Sequence, residues 1–316
     1  VNALAGLVER LRESRGFRHK SDISGVLSRL PEGAQAVPIG DDCAAIPDGD
    51  GYLLFAIEGL VSDFVRAMPW FAGYSGVMVN VSDIYAMGGR PLAVVDALWS
   101  GDAQAASEVL AGMAAASSAY GVPIVGGHSN VRSDRAQLAV AIVGRARKLL
   151  TSFDARPGDA LVMAVDLRGR FEEPYPFWNA SVSAPAGRAR GDYELLPALA
   201  EDGLCDAAKD ISMAGVLGTA LMLLECSKAG ARIDLDALPC PEGVDFERWL
   251  TAFPSFGFVL SVRPEQVDEV LARFASRDLA SAVIGQVDAS REVVLTRDGD
   301  AALLWNLHEE PFICAR

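Results

Sequence analysis

The sequence predicts a mixed α/β (α+β) protein in two parts. Strand-length apolar runs alternate with helical periodicities in each half, and a polar, turn-rich stretch from Ser152 to Asp159 lies between the halves. With 316 residues, 51% of them hydrophobic, the chain has apolar material for one large core or two ordinary ones. In the first half, Leu53 to Ile57, Leu92 to Leu98 and Leu138 to Val143 read as buried strands. Between them, Tyr74 to Met87 carries Val77, Val81 and Ile84 at helical spacing and stops at Gly88-Gly89 with Pro91 beyond, as a helix should. Asp102 to Tyr120 is Ala-rich and helical, closed by Gly121 and Pro123. A boundary near residue 150 divides the chain into 1–150 and 151–316. After it come a strand at Ala160 to Val165, a helix from about Met213 to Lys228, a strand around Ile233, another at Phe256 to Val262, a helix at Pro264 to Ser276 and a strand near Val283. Arg168 to Asp192, rich in Pro, Gly, Arg and aromatic residues, is too long for an ordinary connection and reads equally as a substrate lid or as a packed surface loop.

Charge narrows the partners. Lys plus Arg number 28 against 42 Asp plus Glu, a formal net charge of −14, which is the wrong sign for a nucleic-acid or anionic-membrane surface. An anionic ligand must therefore be met locally or through a cation. Cys43, Cys205, Cys226, Cys240 and Cys314 are odd in number and scattered, with no C-x-x-C pair, so neither a disulfide framework nor a zinc site is suggested. No run approaches the roughly 20 apolar residues of a spanning helix. A soluble, cytoplasmic protein is the expectation.

Four short segments carry polar chemistry, and each has a plainer reading. Gly40-Asp41-Asp42 offers two hard oxygen ligands where the backbone can approach closely, or is simply a solvated turn. Asn80 and Asp83 stand three apart on the first helix, so they share a face and form a polar spot on a packed element. Val125-Gly-Gly-His-Ser-Asn130 ends a strand in glycines that permit a turn against a ligand, or merely a tight turn; His128 has no second histidine at ligand spacing. Lys209-Asp-Ile-Ser-Met-Ala-Gly215 precedes a long apolar helix. Ser212 reads there as an N-cap, and orphan N–H groups at that end suit phosphate. Walker, Rossmann and nucleophile-elbow motifs are all missing, which removes most of the weight from those readings.

In order along the chain, Gly40-Asp-Asp-Cys-Ala-Ala-Ile46, Leu53 to Val61, Val79-Asn-Val-Ser-Asp-Ile-Tyr-Ala-Met-Gly-Gly-Arg-Pro91, Gly126-Gly-His-Ser129 and Lys209 to Gly215 resemble the aminoimidazole ribonucleotide synthetase superfamily. The look is nearest to its synthetase-related and thiamine-monophosphate kinase-like members. The resemblance implies two α/β domains, an N-terminal sheet (1–150) that pairs with that of a second subunit into a barrel, and a C-terminal domain (151–316) that completes a cleft for ATP and Mg²⁺. It also implies roles. Asp41, Asp42, Glu58, Asp83 and Asp210 hold metal; Asn80, Gly126, Gly127, His128 and Ser212 meet the nucleotide; Asp210 and Ser212 stand at the reacting phosphate. Arg188 and Arg190 would recognise an anionic acceptor, since Arg matches phosphate or carboxylate bidentately.

Three positions depart from the family pattern. Glu58 stands where relatives commonly have Asp, His128 replaces the usual acid after the glycine pair, and Met213 replaces a second Asp of the kinase run. A thioether neither accepts a proton nor binds Mg²⁺ well, which weighs against thiamine-monophosphate kinase. Two other members of the superfamily are not expected matches: selenophosphate synthetase uses a reactive cysteine with a lysine near its N-terminus, whereas no cysteine stands before Cys43 here, and the hydrogenase maturation factor ends in a reactive cysteine, whereas Cys314 is followed by Ala315 and Arg316. The expected function is thus ATP- and Mg²⁺-dependent phosphoryl transfer to, or activation of, a small metabolite by a homodimer. A catalytically degenerate, nucleotide-binding regulatory subunit, thiamine-monophosphate kinase and a metal-dependent phosphate-ester hydrolase are the alternatives.

Overall fold

The computed structural model describes residues 3–27, 29 and 37–313, so Cys314 lies outside the described residues. The chain opens with helices α1 (Ala3–Glu13), α2 (Arg15–Ser21) and α3 (Ile23–Leu27). Next come β1 (Ala44–Asp48), β2 (Gly51–Leu60), α4 (Ser62–Ala67), α5 (Pro69–Ala86), β3 (Arg90–Trp99), α6 (Ala103–Tyr120), β4 (Ile124–Asn130) and β5 (Gln137–Ala146). From there run β6 (Ala160–Val165), β7 (Arg170–Phe171), β8 (Phe177–Asn179), α7 (Arg188–Tyr193), α8 (Leu195–Glu201), β9 (Ala207–Asp210), α9 (Gly215–Cys226) and β10 (Gly230–Asp234). The last elements are α10 (Phe246–Leu250), β11 (Phe253–Pro254), β12 (Gly257–Val262), α11 (Val267–Ala275), β13 (Ala280–Asp288), β14 (Glu292–Arg297) and β15 (Asp300–Asn306). Contacts group Asp42–Leu149 with Val182–Ala198 as a smaller unit, and Val1–Asp41, Leu150–Ser181 and Leu199–Arg316 as a larger one.

In the smaller unit the sheet order is β1-β2-β5-β3-β4, antiparallel except where β3 meets β4. The stripe read from the sequence forms as expected: Val77, Val81 and Ile84 are fully buried, as are Leu54 and Val140 on the sheet. Helix α5 begins a turn earlier than its apolar periodicity indicates because Pro69 occupies its first turn, where a missing N–H goes unnoticed. The opposite face of the sheet is open. Opposed residues of neighbouring strands share a face, so Ile57, Ala141 and Val95 form one row across it; Phe55 and Ile57 are 50% and 64% exposed. The glycine pair read as a strand-ending turn lies instead inside β4, because β4 has β3 on one side and continues its ladder through His128 to Asn130.

The larger unit holds a seven-stranded sheet, β15-β14-β10-β13-β6-β12-β9. Every residue of α9 is buried, as befits a helix apolar all round. Phe17 of α2 packs against Phe312 and Trp305 beside it, and the Glu225 carboxylate accepts 2.7 Å hydrogen bonds from the amides of Phe312 and Ile313. The Arg168 to Asp192 stretch is not one long loop. Its first part is the β7–β8 hairpin, extended by β11 into a three-stranded sheet, and its last part is α7 of the smaller unit. Among the described residues, no helix is long and apolar enough to cross a membrane.

Candidate functional site

Strand β9 is short, at the sheet edge, and places Lys209 and Asp210 at its end, both buried. Successive side chains of a strand point to opposite faces, so these two serve different neighbours. Lys209 Nζ lies 3.9 Å from Asp41 Oδ1, and both side chains are almost fully enclosed, at 5% and 0% exposure. The Asp41 carboxylate also accepts from Ser152, at 2.7 Å from its amide and 2.6 Å from its hydroxyl. Asp41 is therefore a buried, hydrogen-bonded counter-ion inside the larger unit.

The turn after Asp210 is not the expected serine cap. Helix α9 starts at Gly215 with Ala214 as its N-cap and no capping side chain. The reason is steric: Gly215 has φ +65°, and a Cβ there would stand 2.0 Å from the Leu250 carbonyl oxygen. Ser212 sits in the turn before it, partly buried, its amide directed to the Thr219 hydroxyl. The Ile211 amide donates to Gly257 and the Gly215 amide to Ser212, both at 2.8 Å.

In the smaller unit, α5 carries Asn80 and Asp83 inward. The Asn80 amide nitrogen donates to the carbonyls of Gly76 (2.7 Å) and Val140 (2.9 Å), bracing helix to strand; its Oδ1 is buried with no hydrogen-bond partner among the described residues. Asp83 is buried, and one of its carboxylate oxygens lies within 4.8 Å of one on Asp42. Two carboxylates that close repel unless a cation or proton is shared, and divalent cations take such oxygens readily. Glu58 faces the same side of the sheet. It pairs with Val140, which pairs in turn with Asp96, so that two acids flank the residue Asn80 holds.

Asp96 is an acid that the motif reading passed over. Its Oδ1 fills the space a Gly127 Cβ would need, at 2.2 Å, which is why glycine stands there, and its Oδ2 is buried with no partner among the described residues. Desolvation raises its pKa above the ordinary carboxylate value, despite a hydrogen bond to backbone. A carboxyl raised on folding binds more protons folded than unfolded, so it lowers stability as pH climbs through the unfolded value, and the penalty is complete above the folded one. Asp96→Asn should therefore melt higher than the parent at pH 7.5, with the gap narrowing by pH 4.5. A gap that stays constant or widens on acidification would contradict this.

The remaining candidates are placed elsewhere. His128 pairs with Ala97 in register, so it lies on the open face of the sheet beside Trp99 (6.0 Å between rings), away from the face holding Asn80. Gly126 is on that open face too, 3.9 Å at its notional Cβ from Val95. Arg188 lies 3.9 Å from the buried Asp192, and Arg190 rests against the α6 C-cap at Gly121. Sequence reading missed Ser152, Thr219 and Asp96 and gave Lys209 no role. For Asp96 a signal existed, a lone acid within an apolar strand; for Ser152 and Thr219 nothing local distinguishes them from ordinary small polar residues.

Residues 40–146 match the model described as AIR synthase related protein, N-terminal domain, and residues 188–298 match its C-terminal domain. The chain is 48% identical over 313 residues to an uncharacterized protein of Synechocystis sp., covering 98% of this chain and 97% of that one. Among solved structures, T. maritima PurL complexed with ATP superposes with a TM-score of 0.76 at 21% identity, over 93% of this chain but 49% of the other, so the chain spans about half of that protein. AaThiL complexed with AMPPCP and TMP gives a TM-score of 0.67 at 22% identity, over 88% of this chain and 91% of that one. At those identities the two structures establish the shared two-domain α/β fold.

Proposed function

We propose, from the premise that the chain belongs to the AIR synthase related protein family, that it is an enzyme using ATP with Mg²⁺ to phosphorylate, or to activate by phosphorylation, a small metabolite. The observation that carries this reading is the Asp42–Asp83 pair, two carboxylates held within 4.8 Å on a packed scaffold in a protein of net charge −14. Such a pair is out of place beside polyphosphate unless divalent cations intervene, and hard oxygen donors are what Mg²⁺ selects. Relatives in fold bind ATP and AMPPCP.

In this reading Asp42 and Asp83 hold metal, with Glu58 on the face of the sheet that α5 covers, and the family resemblance gives Asp210 a metal-holding role as well. Asp41 supports them through Lys209 and Ser152, since its own oxygens already accept from Ser152. The Ser212 hydroxyl meets a phosphate oxygen. Asn80 keeps α5 in register with β5, so that Asp83 presents its carboxylate at a constant height. When bound, Mg²⁺ supplies charge neutralisation of the phosphates, and positioning is the protein's main contribution. Calorimetry with ATP, with and without Mg²⁺, tests this: heat that requires the metal is expected, and the absence of both heat and any thermal shift overturns it.

A second reading, a nucleotide-binding regulatory subunit, is favoured by Met213, a side chain without acid–base capacity in the turn beside Ser212. It predicts ATP binding with no acceptor-dependent ADP release across a metabolite panel.

The assembly proposed is a homodimer. The open face bearing Phe55, Ile57 and Val95 is apolar and contiguous across three strands, and the family resemblance pairs this sheet with its copy. Ile57→Asp should convert the dimer to monomer in light scattering at micromolar concentration, because two charges would be buried per interface. A parent protein that is already monomeric removes the proposal.

A further inference from the structure

We propose that Thr219 is a positioning residue for this nucleotide site: from inside α9, its hydroxyl fixes the turn that carries Asp210 and Ser212. The claim rests on the nucleotide reading above and deepens it. Thr219 is fully buried in the second turn of α9. A helical threonine ordinarily returns its hydroxyl to the carbonyl four residues back, here that of Gly215. Thr219 instead reaches out of the helix, donating to the Asp210 carbonyl and accepting from the Ser212 amide, each at 3.3 Å. One donor and one acceptor of the same hydroxyl thus grip the peptide groups on either side of Ile211.

The rest of the turn is held just as closely. The Ile211 amide donates to Gly257, the Gly215 amide donates back to Ser212, and Gly215 takes the left-handed conformation that keeps its Cα against Leu250. Every one of these bonds uses backbone. In the nucleotide reading the Asp210 carboxylate and the Ser212 hydroxyl are the groups of this turn that meet the ligand, and their directions follow from the peptide planes Thr219 sets. Pre-ordering of this kind removes the need to arrange the turn when nucleotide arrives.

The test compares Thr219→Val, which keeps the shape and loses the hydroxyl, with Thr219→Ser, which keeps the hydroxyl and loses a methyl. Affinity for ATP with Mg²⁺ is measured by calorimetry, hydrogen exchange at the Ser212 amide by mass spectrometry, and thermal midpoint alongside. Thr219→Val should weaken ATP binding about tenfold, the size of one lost hydrogen-bonded contact, and should speed Ser212 exchange. Thr219→Ser should restore both, even where its midpoint falls. A packing role alone would make affinity track the midpoint, so a serine variant as weak as the valine variant overturns the proposal. So does a valine variant with parental affinity. A parent protein that binds no ATP brings down the nucleotide reading and this inference with it, whereas parental binding untouched by Thr219→Val removes only the role of Thr219.

Discussion

Asp83→Asn is expected to weaken Mg²⁺-dependent ATP binding by about 100-fold or more, since a direct ligand should matter at least as much as the outer partners of a metal site. The argument is electrostatic. Asp83 is buried with an Asp42 oxygen within 4.8 Å, and two carboxylates at that distance repel each other and favour a cation held between them. Asparagine keeps the shape and removes one negative charge. Without metal, the variant should therefore melt no lower than the parent, because a repulsion has been relieved. Loss of binding together with retained or increased stability separates a ligand from a structural acid. Parental affinity in Asp83→Asn would leave the cation proposal without its foundation.

Lys209→Met should destabilise the protein by roughly 3 kcal/mol, the lower end for removing one partner of a buried ion pair. Asp41 and Lys209 are both withdrawn from solvent and face each other at 3.9 Å, while the Ser152 amide and hydroxyl donate to the two oxygens of the same carboxylate. Methionine matches the lysine stem in length and packs well, so the loss would report the charge. Adding Asp41→Asn should recover much of it, since the charge left behind is then gone. Equilibrium urea unfolding of the parent, both single variants and the double variant gives the coupling directly. A double variant no more stable than Lys209→Met alone would show that the pair is energetically idle.

Most of the fold was legible because period and punctuation are local. The stripe Val77, Val81, Ile84 with its Gly88-Gly89 stop, and the apolar runs around Leu54, Val94 and Val140, declare helix and strand without reference to anything distant. Elements that escaped were those without a strong local signal. Strand β9 is four residues long and contains two charges, and the β14–β15 hairpin mixes polar and apolar residues around Asp298-Gly299. The cap at Ser212 was misread for a related reason. Serine before an apolar helix is a sound local signal, but the left-handed Gly215 against Leu250 delays the helix by two residues, and Leu250 is far away along the chain.

The amino-acid order by itself singled out a set of carboxylates as candidates, set the acidic balance that makes a cation the expected bridge to an anionic ligand, and marked most segments as helix or strand. Each of those follows from neighbours within a few residues or from a simple sum of charges. Only the tertiary structure decided which neighbours each acid has. It gave Asp41 to Lys209 and Ser152, set Asp42 beside Asp83, sent His128 to the open face of the sheet, and brought Asp96 and Thr219 into account. Those assignments depend on strand register and on close approach between residues distant in the chain. Moving the register by one residue turns a side chain to the other face, and nothing in the local sequence records which register is taken.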